Sequence, residues 1–166
     1  MAFCMNRDII DELQSDWNKQ RPDLDPEPMG VVLRIQALAK ILGDQTAERL
    51  QSFDLQWWQY DVLSALRRQG PPFIMAATEL AESTMLTSGA MTNRIDRLEE
   101  DQLVRRVKDE NDLRRVLIQL TNKGLKLIEG ATEARFESAT EALENLSKQQ
   151  RECLSDLLRL VLKTQG

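Results

Sequence analysis

Apolar positions along the chain recur mostly at helical spacing. Ile9, Ile10, Leu13 and Trp17 fall on one side of a helix, and the run Arg21-Pro22-Asp23-Leu24-Asp25-Pro26-Glu27-Pro28 ends it with three prolines. From Met29 to about Phe53, Val31, Val32, Ile35, Leu38, Ala39, Ile41 and Leu42 sustain a long amphipathic helix. A third helix, Leu55 to about Arg68, carries Trp57, Trp58, Val62, Leu63 and Leu66 and stops at Gln69-Gly70-Pro71-Pro72. The tryptophan pair, with Met85 and Met91, is expected to serve core and turn packing.

Two short helices follow, Thr78 to Ser83 and Thr87 to Asp101, with Thr78 and Thr87 as N-caps. In the second, Met91, Ile95 and Leu98 should face a core, which turns Ser88, Gly89, Thr92, Asn93 and Asp96 outward. Small and hydrogen-bonding side chains on such a face suit close approach to base edges in a major groove. Leu103 to Lys108 and Arg115 to Leu120 are short and rich in branched residues, and the polar segment 109–114 between them can turn, so they read as a two-stranded hairpin. Thr121 should cap a helix running to about Asn145, and Ser147-Lys148-Gln149-Gln150 has the form of a capping box for a last helix striped by Leu154, Leu157, Leu158 and Val161.

The expected fold is mainly α: a winged helix-turn-helix with a two-stranded β-wing and long N- and C-terminal helices forming a dimerisation region. Residues 1–53 would hold the leading helix, linker and first dimerisation helix, 54–120 the DNA-binding region, and 121–166 the C-terminal dimerisation helices, all within one structural domain. The terminal helices exceed what one small core requires, so a second copy is the simplest partner. Two-fold symmetry would then set two recognition helices roughly 34 Å apart on a palindromic site.

Composition narrows the chemistry. The 166 residues are 42% apolar and 30% charged, enough for one well-filled domain, and no run approaches the roughly 18 apolar residues that span a bilayer. A cytoplasmic protein with no membrane partner is expected. Histidine is absent, which removes a Ser-His-Asp triad and histidine metal ligands, and Cys4 and Cys153 are too few and too far apart for a disulfide framework or a zinc site. No glycine-rich phosphate loop occurs, so neither enzyme activity nor a cofactor is expected. The net charge of −5 hides an asymmetry: residues 102–126 balance to +4, leaving −9 elsewhere. Local placement decides where phosphate can bind.

The stretch TELAESTMLTSGAMTNRIDRLEEDQLVRR, followed by DENDLRRVLIQLTNKG, resembles the winged helix-turn-helix of the MarR transcription regulators. Recognition helix, Asp-x-Arg wing and Leu-Thr-x-x-Gly exit occur in the family's order. The resemblance implies binding to double-stranded DNA by a homodimer, with Thr87, Ser88, Gly89, Thr92, Asn93, Arg97, Arg114 and Arg115 as DNA-binding residues. It also implies that Arg114 enters the minor groove and that Asp112 orients the wing by pairing with an arginine. Gln102 stands where the family usually has glycine, so a left-handed helix stop there would carry a steric cost. Leu113 stands where the family is often basic, which should weaken nonspecific DNA binding.

A narrower similarity is to the urate-responsive PecS-like and HucR-like branch, which implies a ligand site of Trp17, Asp61, Arg94 and Arg106. Urate is flat and anionic, so its site wants an aromatic face, a guanidinium, and a carboxylate for ring N–H groups. Because Arg94 lies on the DNA-reading helix, an anionic aromatic ligand that recruits it could tilt that helix out of its groove and release a repressor. Trp17 could equally be core packing, Asp61 with Arg94 a structural ion pair, and Arg106 a phosphate contact. Two further alternatives are a thiol-oxidation sensor acting through Cys4 or Cys153, and a protein-interaction module without an operator.

Overall fold

The computed structural model describes residues 7–84, 86–109, 112 and 115–164. In chain order they form α1 (Ile9–Gln20), α2 (Glu27–Gln51), α3 (Trp57–Arg68), β1 (Ile74–Ala76), α4 (Ala77–Ser83), α5 (Ser88–Glu100), β2 (Val104–Lys108), β3 (Val116–Leu120), α6 (Asn122–Ala142) and α7 (Lys148–Lys163). The chain divides into two compact units, Met1–Gln45 and Thr46–Gly166. Among the described residues no helix is long and apolar enough to cross a membrane.

The N-terminal unit is held largely by polar contacts. Asp8 caps α1 by accepting from the backbone of Ile10 and Asp11, and the Asp11 carboxylate accepts in return from the Asp8 backbone N–H. Arg34 of α2 donates to both carboxylates at 2.8 Å, and its hydrogen bonds hold Asp8 below the usual carboxylate range. Gln14 donates to the Pro26 carbonyl at 2.9 Å and lies so close over Gly30 that a Cβ there would meet its amide at 2.2 Å. Of the apolar stripe expected on α1, only Ile10 is buried; Ile9, Leu13 and Trp17 are exposed. Helix α2 begins two residues earlier than the pattern suggests, so Pro28 sits in its first turn, where no backbone N–H is needed.

The second unit carries the hydrophobic core. Val62, Leu63 and Leu66 of α3, Leu80 of α4, Met91, Ile95 and Leu98 of α5, Val104 and Ile118 of the sheet, and Ile128 of α6 form one apolar cluster. Strand β3 pairs antiparallel with β2 from Val104↔Leu120 to Lys108↔Val116, as the hairpin reading expects. The sheet also has a third strand, because β1 adds to the other edge of β3 with Ile74↔Gln119 and Ala76↔Leu117. This strand runs straight into α4, so Ala76 and not Thr78 is the N-cap; Glu79 supplies the reciprocal contact by accepting from the Ala76 N–H. Thr87, Thr121 and Ser147 cap α5, α6 and α7 as their hydroxyls and spacing imply.

Two backbone positions fix the join between α5, the sheet and α6. Gln102 closes the turn after α5 at φ +61°, the left-handed region in which a Cβ is strained. Gly124, in the first turn of α6, lies against strand-leading Leu103: a Cβ would meet the Leu103 carbonyl oxygen at 2.0 Å. That contact accounts for the glycine of the Leu-Thr-x-x-Gly exit. Helix α7, by contrast, buries none of its residues, and Leu157, Leu160, Val161 and Leu162 are exposed.

Two substitutions should therefore move stability in opposite directions. Gly124→Ala is expected to destabilise the protein by about 3 kcal/mol, since backbone must shift to admit the methyl group. Gln102→Gly should stabilise it by about 1 kcal/mol through relief of left-handed strain. Urea denaturation of both variants beside the wild type checks the two signs.

Candidate nucleic-acid interface and anion site

Helix α5 exposes Ser88, Gly89, Thr92, Asn93, Asp96 and Arg97 and buries Met91, Ile95 and Leu98 on its opposite side. The Thr87 hydroxyl accepts from the Ala90 N–H at 3.3 Å, and the Thr92 hydroxyl donates to the Ser88 carbonyl at 3.0 Å, so both are oriented before any partner arrives. A Cβ at Gly89 would meet nothing within 4 Å, so no neighbour within the protein demands glycine there. Beside this helix a hollow of about 450 Å³ opens towards the wing, lined by Thr78, Ser88, Thr92, Asp112 and Arg115 among others.

The wing is strapped to both helices of the helix-turn-helix by arginines. Arg115 pairs with Glu79 of α4, lies 4.0 Å from Asp109, and donates its backbone N–H to the Asp112 carbonyl at 2.9 Å. Arg106 of β2 pairs with Asp96 at 2.5 Å and with Glu99, while its backbone N–H donates to Glu99 at 3.0 Å. The Asp96 hydrogen bond, backed by Glu99, raises the Arg106 pKa further. Arg105 donates twice to the Gln119 amide oxygen, and Gln119 in turn donates to the Pro72 carbonyl at 3.0 Å. Arg114 and Leu113 lie outside the described residues.

A different cluster surrounds Asp61 on α3. Arg135 of α6, Arg94 of α5 and Arg68 act on this half-buried carboxylate. The Arg94 guanidinium lies 5.4 Å from the centre of the Trp58 ring. The Arg135 guanidinium lies 4.5 Å from Trp57 and 5.8 Å from Tyr60, and it donates to the Thr46 hydroxyl at 2.7 Å. Among the described residues, none of these three arginines has a carboxylate within 4.0 Å. One negative charge thus stands among three positive ones, with aromatic faces beside them.

Arg94 acts on Asp61 from beyond 4.0 Å, so the two lie in one cluster without forming a close ion pair. Arg106 is not among the charges acting on Asp61; it is committed to Asp96 and Glu99. Trp17 belongs to the N-terminal unit, on α1, and is 54% exposed. Sequence reasoning missed Arg135; of the tryptophan pair it assigned to core and turn packing, Trp58 packs against the core cluster and also faces Arg94, whereas Trp57 is 44% exposed and faces Arg135. A signal for Arg135 existed: it lies four and seven residues after Ala131 and Ile128, both fully buried, so a cation there borders an apolar stripe. Cys153 is exposed on α7, Cys4 lies outside the described residues, and no group of acidic or thiol side chains among the described residues could hold a metal ion.

A polar helix face backed by a buried apolar stripe, with an antiparallel wing beside it, defines a winged helix-turn-helix regulator of transcription. Known proteins narrow this class. The sequence profile of the MarR family matches residues 55–116. The chain is 30% identical to the HTH-type transcriptional regulator PecS of Dickeya dadantii (strain 3937) over 154 residues, 93% of each sequence. A mutant MarR from E. coli complexed with operator DNA is 25% identical, with a TM-score of 0.69 over 88% of this chain and 97% of that one. NadR in complex with 4-hydroxyphenylacetate is 29% identical, with a TM-score of 0.63 over 78% of this chain and 89% of that one. The chain belongs to the MarR family of transcription regulators, DNA-binding proteins rather than enzymes.

Burial raises the Asp61 pKa above its ordinary value of 3.8, against the opposing pull of Arg135, Arg94 and Arg68. In that window the folded protein holds a proton that the unfolded chain has released. Asp61 therefore favours folding fully below the ordinary value, and this contribution is lost as pH rises through the raised one. Asp61→Asn should melt higher than wild type at neutral pH, with the gap closing below about pH 4, and melting curves across pH would check it.

Proposed function

We propose that the chain is a homodimeric repressor that reads a palindromic operator and is released from it by a small anionic aromatic ligand such as urate. Each copy lays the exposed face of α5 in a major groove, where Ser88, Thr92 and Asn93 meet base edges and Gly89 allows close approach. Arg97 meets the phosphate backbone, and Arg114 reaches the adjacent minor groove. Arg115, held by Glu79, joins the DNA contact at the base of the wing, and Asp112 orients the wing by pairing with an arginine. The polar face of α5 supports this reading, as does the operator-bound MarR to which the chain is similar. Homodimerisation is supported by α7, which has an apolar stripe and no buried residue of its own.

The observation that carries the ligand reading is the excess of guanidinium charge around Asp61 beside aromatic faces. A planar anion there meets Arg94 with its charge and offers ring N–H groups to Asp61. The resemblance to the urate-responsive branch adds Trp17 to the proposed ligand residues. Drawing Arg94 away from Trp58 moves α5, because Arg94 and the DNA-reading residues share that helix. Arg106, paired with Asp96 and Glu99, carries the movement from α5 to the wing. NadR, a relative with 4-hydroxyphenylacetate bound, lends support to a ligand of this class.

Variant binding, footprinting and ligand titration test the proposal. Gly89→Ala should keep the wild-type melting temperature yet bind operator roughly tenfold more weakly, about 1.4 kcal/mol; Arg114→Ala should lose about 1 to 3 kcal/mol of affinity for an A·T-rich site. Footprinting on DNA upstream of the gene should show sequence-specific protection that weakens steeply with salt, and an absence of protection would refute an operator there. Urate, xanthine and salicylate should be titrated into the DNA complexes of wild type, Trp17→Ala and Arg94→Ala. Urate is expected to release wild type and to act at least tenfold more weakly on both variants; equal action on all three would refute the site.

A further inference from the structure

We propose that Arg135 of α6 is the second cation of the anion site, a counterpart to Arg94 on α5; this rests on the ligand reading given above. Arg135 is half-buried and held by three contacts, its approach to the Trp57 ring at 4.5 Å and to the Tyr60 ring at 5.8 Å and its hydrogen bond to the Thr46 hydroxyl at 2.7 Å. An arginine has five N–H donors in a rigid fork, and among the described residues Thr46 alone accepts from this one. Its remaining donors stand beside the aromatic faces of Trp57 and Tyr60, whose ring centres are 6.3 Å apart. Planar stacking surface and a partly unsatisfied guanidinium fork are the two features by which a flat oxyanion is held.

Charge accounting separates Arg135 from Arg106. Arg106 is neutralised by two carboxylates, Asp96 and Glu99, so an anion would have to break both pairs to use it. Arg135, Arg94 and Arg68 share the single carboxylate of Asp61, and Arg135 exerts the strongest pull of the three. An incoming anion compensates charge that the protein leaves uncompensated. The two cations also differ in what they are built on. Arg94 rides on the DNA-reading helix, whereas Arg135 rides on α6, whose Ile128 and Ala131 are fully buried. A ligand held by Arg135 can therefore pull Arg94, and α5 with it, against a stationary anchor.

The test uses the full chain as wild type, Arg135→Gln, Arg135→Lys and Arg106→Gln, with sodium urate binding followed by calorimetry and DNA release followed by fluorescence anisotropy. Arg135→Gln should bind urate at least tenfold more weakly and need correspondingly more for release, while ligand-free DNA affinity stays within twofold of wild type. Arg135→Lys, which keeps charge but loses the planar fork, should recover only part of the affinity, and it decides the matter if the glutamine variant does not fold. Arg106→Gln should bind urate within threefold of wild type. Wild-type affinity in both Arg135 variants, or a loss confined to Arg106→Gln, would overturn the assignment and leave the ligand reading intact. No saturable binding of urate by wild type would overturn both.

Discussion

Burial of Met91, Ile95 and Leu98 fixes the rotation of α5 about its own axis, and the chemistry of both faces follows from that rotation. At about 100° per residue, Gly89 and Asn93 are carried to the side opposite the core, where a duplex can reach them. Arg94 is carried to the rim of the buried stripe, roughly 60° from Met91, where it meets Trp58 and the field of Asp61. One helix therefore presents its reading surface outward and a single cation sideways. A rotation of the helix that displaces the cation also turns the outward face.

The arginines of the second unit divide into two kinds. Arg106 and Arg115 are matched with carboxylates and fasten the wing to α5 and α4, so they set geometry. Arg94, Arg135 and Arg68 are left in excess over Asp61 and so create potential. A chain of net charge −5 can be selective with these few cations because the surrounding acid discourages indiscriminate approach of phosphate. Exposed ion pairs of the first kind contribute little stability each, and their value lies in fixing where the wing stands relative to the reading helix.

Much of this was legible in the sequence. Caps at Thr87, Thr121 and Ser147 could be read because a hydroxyl at the start of an apolar period has a local partner three residues on. The left-handed turn at Gln102 was visible through the family resemblance, in which glycine usually follows the recognition helix. Strand β1 was not: three residues have no measurable period, and they are extended only because β3 lies alongside. Thr78 is not the cap for the same reason: the strand hands over directly to α4 at Ala77, so Thr78 already lies inside the helix. The partners of arginines were the hardest part. Arg106 was read as a ligand or phosphate contact, whereas it pairs with Asp96 and Glu99, and Arg135 drew no reading because its neighbours come from α3, which only the packing of α3 on α6 brings close.

Helix α7 has a further implication. Sixteen residues with a leucine-rich stripe and no buried side chain have little to hold them helical in isolation, since most helical stability in proteins comes from packing. If a second copy supplies that packing, the folded population obeys mass action and thins out on dilution. Cellular abundance would then govern occupancy twice over, through the number of molecules and through the fraction of them assembled, so that a modest fall in synthesis empties the operator more sharply than simple titration allows.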